Sequence, residues 1–381
     1  MPESQNIVTL KVNGKQYAGW TSVSISVALQ SLARSFALSS TRTITGAGDL
    51  GAGIHCGDAV EVLIGGDLVC TGYVTDRTIG YDANNVKIDI KGASKTIDLS
   101  ECSLPERAPK QFKHQTPADH VAAVCRYFGI GVVDQVAVTE KLAFDVKVAE
   151  TVEQALVRFL KTNSLILGDD EAGNVVLTKV ASGGNASDAL ELGVNVLSCS
   201  RAQSFKERFS RVVAIGQSSN ALSENPVTNN QLTAAATDPG VTRERVKVIQ
   251  VSGNATAAKL QRRAQLVLNA GQGKSDTSSY TVTGWRQSDG ALWQVNQRVS
   301  VRDGYTEQTE TLLITSLTFS LTDSGMRTSL ECKPESALLS TDESDDSDSK
   351  SGSKTSKSGS TTKWSDLKKP ASADGGNWTA S

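Results

Sequence analysis

At 381 residues the chain can hold two or three domains and bury a sizeable core. Its 39 basic and 41 acidic residues leave a formal charge of -2, which gives no electrostatic footprint for tight binding of nucleic acid or an anionic membrane. The first six residues lack a basic stretch followed by an apolar one, and no apolar run approaches the roughly 20 residues that span a bilayer; the expectation is a soluble chain with no export signal and no membrane insertion.

Residues 7–99 read almost wholly as β. Val8, Leu10 and Val12 alternate with Ile7, Thr9 and Lys11, and Asn13-Gly14 is a strong hairpin turn. Gly19-Trp20 opens an alternating run over 21–27 that closes at Phe36-Ala37-Leu38. Gly57-Asp58 leads into 60–64, the turn Gly65-Gly66-Asp67 and a run over 68–74; Asn84-Asn85 then precedes 86–92. Short strands at close spacing, with turn chemistry between them, argue for a barrel or sandwich.

The character changes near Pro105. Thr116-Pro117-Ala118-Asp119 predicts a helix start, with proline at the first helical position and Val121, Val124, Cys125 and Phe128 inward, ending at Gly129. Thr151 followed by Gln154 has the spacing of a capping box, and Ala155, Leu156, Phe159 and Leu160 form the stripe of a second helix. A hairpin comes next over 165–177, so this stretch reads as a small α+β insertion.

Residues 190–197 return to β, and 211–216 read as a core strand of a second β unit. Residues 218–240 are polar and turn-rich, hence loop-like. Residues 255–270 give an amphipathic helix with Leu260, Ala264, Val267 and Leu268 apolar; its basic cluster reads as a wetted face. β structure returns over 279–333, where Gly284-Trp285 is flanked by 280–283 and 292–295, Asp289-Gly290 is a turn, and 312–321 is a long strand. The order strand, turn, strand over 58–74 is echoed over 297–317, which suggests two related β units with other material between them. Beyond residue 339 the chain is rich in Ser, Asp, Lys, Gly and Thr and reads as a disordered polar tail, with Trp364, Leu367 and Trp378 available to dock on a partner.

Motifs for chemistry fail on context. Gly46-Ala47-Gly48-Asp49-Leu50-Gly51 matches a dinucleotide fingerprint in letters, but the chain continues from it as turn and strand rather than as a helix. Gly273-Lys274-Ser275 resembles a P-loop ending, yet it comes after a helix and Leu268 stands where the earlier glycine belongs. His114 and His120, with Cys125 beyond, are spaced poorly for one metal; His55 lies in a loop. Glu101, Glu106, Asp169 and Asp170 read as ordinary turn carboxylates. Cys56, Cys70, Cys102, Cys125, Cys199 and Cys332 are dispersed without a CxxC pair, and most read as reduced core thiols of a protein made in the cytoplasm. No catalytic, cofactor or metal residue is nominated.

Several collinear phrases resemble the baseplate hub protein of Mu-like phages, a family related to the T4 baseplate hub and the hub part of type VI spikes. They are the run from Gly19-Trp20 to Leu38, Gly57-Asp58 through Val74, residues 92–102, 151–160, 205–210, and 284–293. The resemblance spans about 7–338. It implies a mainly β fold with α+β insertions and two tail-tube-like β-barrels per subunit. The barrels would occupy 1–102 and 190–216 with 279–338, the insertions 103–189 and 217–278, and the tail 339–381. It further implies a homotrimer located in the virion's tail baseplate. That ring would contact the tail tube or a distal tail protein, the central spike protein and baseplate wedge or other tail proteins. DNA would pass only transiently through its lumen. Trp20 and Trp285 are then packing residues of the barrels, and no catalytic residues or cofactors are implied. The alternatives are a baseplate-associated cell-wall hydrolase and the hub of a tailocin or type VI-like injection particle.

Overall fold

The computed structural model describes residues 3–43, 53–162, 165–217 and 231–338. The first β unit comprises β1 (Val8–Val12), β2 (Lys15–Tyr17), β3 (Ser22–Ala28), β4 (Ser35–Thr43), β5 (Ala59–Ile64), β6 (Asp67–Tyr81) and β7 (Asn85–Ser94). They pair antiparallel in the order β3-β4-β7-β6-β5-β1-β2. Asn13 and Gly14 take φ of 49° and 77°, the positive pair that a two-residue hairpin of this twist demands, so Val12 faces Lys15. Every second residue is buried along β1, β3 and β5, as expected of strands with one face on a core.

The insertion comprises α1 (Ile97–Glu101), β8 (Gln111–Gln115), α2 (Pro117–Cys125), β9 (Val132–Asp134), β10 (Leu142–Asp145), α3 (Val152–Thr162), β11 (Ile166–Asp169) and β12 (Val175–Thr178). Both helix starts have the chemistry read from sequence. Asp119 N donates to Thr116 Oγ1 at 3.2 Å at the head of α2. At α3, Thr151 N donates to Gln154 Oε1 at 3.1 Å and Gln154 N to Thr151 Oγ1 at 3.3 Å. These caps satisfy amides that the first helical turn leaves without partners. Val121 and Val124 of α2, Leu156 and Phe159 of α3, and Val175 and Leu177 of β12 meet in a core of their own.

The second β unit begins with β13 (Leu190–Glu191) and β14 (Val196–Gln203). An excursion intervenes, made of β15 (Arg211–Gln217), β16 (Gln231–Thr237), β17 (Val246–Asn254) and α4 (Ala257–Lys274). The unit then resumes with β18 (Asp276–Thr283), β19 (Arg298–Arg302), β20 (Thr311–Thr322) and β21 (Gly325–Lys333). Its strands run β14-β18-β21-β20-β19-β13. Three expectations change here. β15 is no part of this unit: it lies between antiparallel β16 and parallel β17 in a separate three-stranded sheet, whose Val212, Ala214 and Val251 pack on Leu260, Ala264 and Leu268 of α4. β16 itself arises within the segment expected as loop, because Leu232, Ala234 and Ala236 alternate toward that packing; of that segment, 218–230 lie outside the described residues. Residues 292–295 form no strand, only an isolated bridge between Arg286 and Leu292.

The two β units are one sheet. Residues 311–313 of β20 pair with β19, and residues 316–321 pair with β3 of the first unit. Thirteen strands are thereby continuous, and residues from Val8 to Cys332 share one apolar core.

Candidate functional site

The joint between the units shows what the chain repeats. In strand order, β3-β4-β5-β6-β7 recurs as β14-β18-β19-β20-β21. β5 and β6 pair through Ala59↔Tyr73 and Val60↔Gly72, as β19 and β20 do through Arg298↔Leu313 and Val299↔Leu312. Each long strand carries a one-residue bulge, at Thr75 in β6 and at Thr315 in β20. A left-handed residue enters each hairpin, Gly57 at φ 89° and Asn296 at φ 66°. Gly57 N donates to Val74 O at 2.8 Å and Asn296 N to Ile314 O at 2.9 Å, while the return bonds run from Val74 N to Asp58 O at 3.0 Å and from Ile314 N to Gln297 O at 2.9 Å. The echo of 58–74 in 297–317 is therefore a structural repeat.

The two Gly-Trp phrases are not equivalent positions within it. Gly19-Trp20 precedes β3, the first strand of the repeat, whereas Gly284-Trp285 comes after β18, the second. What they share is local: both glycines have positive φ, 83° and 75°. Trp285 is fully buried, with Nε1–H 3.1 Å from the carbonyls of Ser320 and Arg327 and its ring edge-on to Phe319. Trp20 is half-buried against the same core.

Polar contacts lock the joint. The hydroxyls of Ser26 and Thr318 are 2.9 Å apart across β3 and β20. Arg286, on the loop after β18, reaches into the first unit: Nε to Asn6 Oδ1 at 3.2 Å, Nη2 to Gln5 O at 2.9 Å and Ile64 O at 3.2 Å, and Nη1 to Asp67 Oδ2 at 2.7 Å.

A second lock ties the first β unit to the insertion, and sequence reading missed it. Asp169, expected in an ordinary turn, ends β11 and is buried beside Arg34. Arg34 donates from Nε to Asp169 Oδ1 at 3.1 Å, from Nη2 to Asp169 O at 2.8 Å, from Nη1 to Val69 O at 3.1 Å and to Glu171 Oε1 at 3.0 Å. Ser94 Oγ donates to Asp169 Oδ2 at 2.6 Å. Burial works against both charges. In Arg34 the two neighbouring carboxylates outweigh it and leave the guanidinium held above its ordinary range; in Asp169 burial is the larger effect and the carboxyl is raised. The five donors Arg34 presents and the carboxylate geometry it meets argue that the pair is ionic, with burial lessening how strongly Asp169 holds its charge.

A cleft of about 800 Å³ lies between these locks, lined in part by Arg34, Asp169, Arg286 and Trp293. Its two arginines are already engaged in the contacts above, so its polarity serves the joints. The sequence motifs lie elsewhere. The glycine-rich segment 46–51 is outside the described residues. Gly273 ends α4 where a Cβ would meet the backbone of Ala337 at 2.1 Å, so its glycine serves close packing; Lys274 is exposed and lies 3.7 Å from Glu207. His55 is exposed beside Asp58. His120 is buried among Phe112, Phe144 and Phe159 and its Nε2 faces Leu142 O at 2.9 Å, which makes Nε2 the protonated nitrogen; the side chain of His114 lies outside the described residues. Cys70, Cys125 and Cys332 are buried, and burial pushes the first two thiols up to about 12. Cys56 and Cys102 are exposed rather than in the core. Among the described residues no helix is long and apolar enough to cross a membrane, and no group of three His, Cys, Asp or Glu is placed to hold a metal.

A duplicated antiparallel unit, fused through its own strands and stapled by arginines, defines a structural building block. Comparison with known proteins gives its family. Residues 7–94 match "Mu phage baseplate assembly protein GpP-like, N-terminal", residues 96–179 "Baseplate hub protein gp44-like, second domain" and residues 256–340 "Mu phage baseplate assembly protein GpP, fourth domain". Over 357 residues the chain is 31% identical to baseplate hub protein gp44 of Escherichia phage Mu, covering 91% of this chain and 93% of that one. The chain belongs to the baseplate hub proteins of Mu-like phages. Its fold is similar to the crystal structure of the prophage MuSo2 43 kDa tail protein from Shewanella oneidensis, at 32% identity and a TM-score of 0.78 over 87% of this chain and 99% of that one. A tail protein from Neisseria meningitidis shares the fold at 24% identity and a TM-score of 0.73, over 88% and 98% of the two chains.

Proposed function

We propose that three copies of this hub protein close into a ring in the virion's tail baseplate, where each supplies two β units. Six near-equivalent units then present a surface matched to a hexameric tail tube or a distal tail protein. The threefold frame holds a central spike protein, and wedge or other tail proteins attach outside. The observation that carries this reading is the internal repeat, down to the matched bulges at Thr75 and Thr315 and the left-handed residues Gly57 and Asn296. One gene product that must satisfy sixfold and threefold neighbours at once gains from such a duplication.

In this reading the first β unit ends by residue 102, the insertion occupies 103–189, and the second unit runs from 190 to 338. The excursion that interrupts it begins with β15; the segment 339–381, expected as a polar tail, lies outside the described residues. The lumen passes DNA without holding it, in keeping with a net charge of -2; a basic lumen would bind phosphate and resist passage. The chain acts as scaffold, not as enzyme, and is made in the host cytoplasm before incorporation. Mass measurement across concentrations, followed by electron microscopy of intact particles, tests the ring: three copies around the axis are expected. A chain that is monomeric throughout, with no ring in the particle, would remove the proposal. Peptidoglycan cleavage that disappears on point substitution would remove the scaffold reading.

A further inference from the structure

The fused sheet ends on strands that its own interior explains. Reading across the first unit, Val23 pairs with Leu38, Leu38 with Ile90, and Ile90 with Arg77. Across the second, Cys199 pairs with Tyr280, Tyr280 with Leu330, and Leu330 with Leu317. β14 thus occupies the place of β3, and β6 that of β20. Inside the chain, β3 lies along the outer half of β20, with Leu321 opposite Val23 and Phe319 opposite Ile25. The corresponding strands find no such partner: among the described residues β14 pairs with β18 alone, apart from an isolated bridge from Val196 at its start to Leu192, and the part of β6 beyond its bulge pairs only with β7.

The side chains at these edges agree. Phe319 is 3% exposed beneath β3, while Ile79 and Tyr81, which correspond to Phe319 and Leu321, are 45% and 83% exposed. Leu197, at the open edge of β14, is 52% exposed. Alternating apolar residues on an uncovered strand edge are a template for another strand.

We infer that β14 of one copy adds antiparallel to the outer half of β6 in the next copy, placing Tyr81 opposite Cys199 and Ile79 opposite Arg201. This rests on the ring reading and deepens it. The contact is head-to-tail, because β14 and β6 are different surfaces, and such contacts form rings when the rotation closes. It is also the internal β3–β20 contact repeated between chains, so every junction around the ring has one geometry.

Directly opposed residues in an antiparallel pair have Cα atoms about 4.5–5.5 Å apart, within the range a disulfide spans. The test is Tyr81→Cys in full-length protein whose exposed thiols are removed by Cys56→Ser and Cys102→Ser, under a mild oxidant. The expected result is a non-reducing ladder ending at a covalent trimer, with the bond mapped to positions 81 and 199 and lost on adding Cys199→Ser. Ile79→Lys, at an exposed position, should leave the circular dichroism unchanged and raise the concentration needed for assembly at least tenfold. A ring by mass without the 81–199 bond would overturn the strand pairing and leave the ring standing. A dimer bonded 81 to 81 would show a twofold contact and overturn the head-to-tail pairing. A persistent monomer, with no ring in the particle, would overturn both.

Discussion

Replacing Arg34 by Met should release the α+β insertion from the first β unit without unfolding the sheet. Arg34 and Asp169 have side chains only 9% and 2% exposed, and Arg34 bonds to the Asp169 carboxylate and carbonyl, the Val69 carbonyl and Glu171. Removing the cation strands a buried carboxylate, a change that costs about 3–5 kcal/mol when one partner of a buried pair is lost. At about 1.4 kcal/mol per factor of ten, amide exchange in β11 and β12 should accelerate by roughly a hundred- to several-thousand-fold. The assay is native-state hydrogen exchange, comparing Leu167 and Val176 with amides of β20 and β21. Asp169→Leu combined with Arg34→Met should restore part of the protection, because no unpaired charge remains. Loss below threefold, or an equal loss in β20 and β21, would refute the view that this pair is a local lock.

Three further outcomes are expected. Phe319→Ala empties a site beside Trp285 and beneath Ile25; a loss of about 3–5 kcal/mol should appear in both β3 and β20, and protection retained in β3 would show that the units do not share a core. Gly57→Ala forces a side chain into φ 89° at a cost of about 1–2 kcal/mol, whereas Gly57→Asn should cost clearly less in thermal melts, since Asn296 holds the equivalent place; equal costs would count against the repeat. The hydrogen-bonded Arg208 guanidinium holds the Asp238 carboxyl below its ordinary range. A carboxyl depressed in the fold stabilises fully above its unfolded pKa, near 3.9, and that contribution is lost as pH falls through the lower folded value. The stability difference between wild type and Asp238→Asn, followed by melting from pH 7 to pH 2.5, should therefore shrink below about pH 4; a difference that grows on acidification would contradict the sign.

What could be read from the sequence is what short stretches of chain decide. Asn13-Gly14, Thr116 with Asp119, and Thr151 with Gln154 each satisfy their own backbone groups within a few residues, so their structures can be read from their letters. The repeat was legible for the same reason, since a hairpin entered by a left-handed residue is local chemistry. The Gly-Trp phrases misled on equivalence because a positive φ before a tryptophan describes a bend and not a place in a sheet. β15 shows the limit from the other side: alternation in 211–216 says that one face is buried but not against which partner, and its partners are the strands β16 and β17 and the helix α4. Arg34 and Asp169 are 135 residues apart, and neither has a neighbour in sequence that marks it for the other.

The open edges emerge from combining both kinds of reading. Ile79 and Tyr81 sit in an alternating pattern that, in β20, accompanies burial; in the single chain they are exposed. Under the ring proposal, a strand whose pattern asks for a neighbour, and whose internal counterpart has one, would be completed by the next copy. The repeat supplies the register of the missing strand as well as its identity, because the same long bulged strand already holds β3. Tyr81 and Cys199 are therefore the pair at which the hub's assembly can be decided by a single bond.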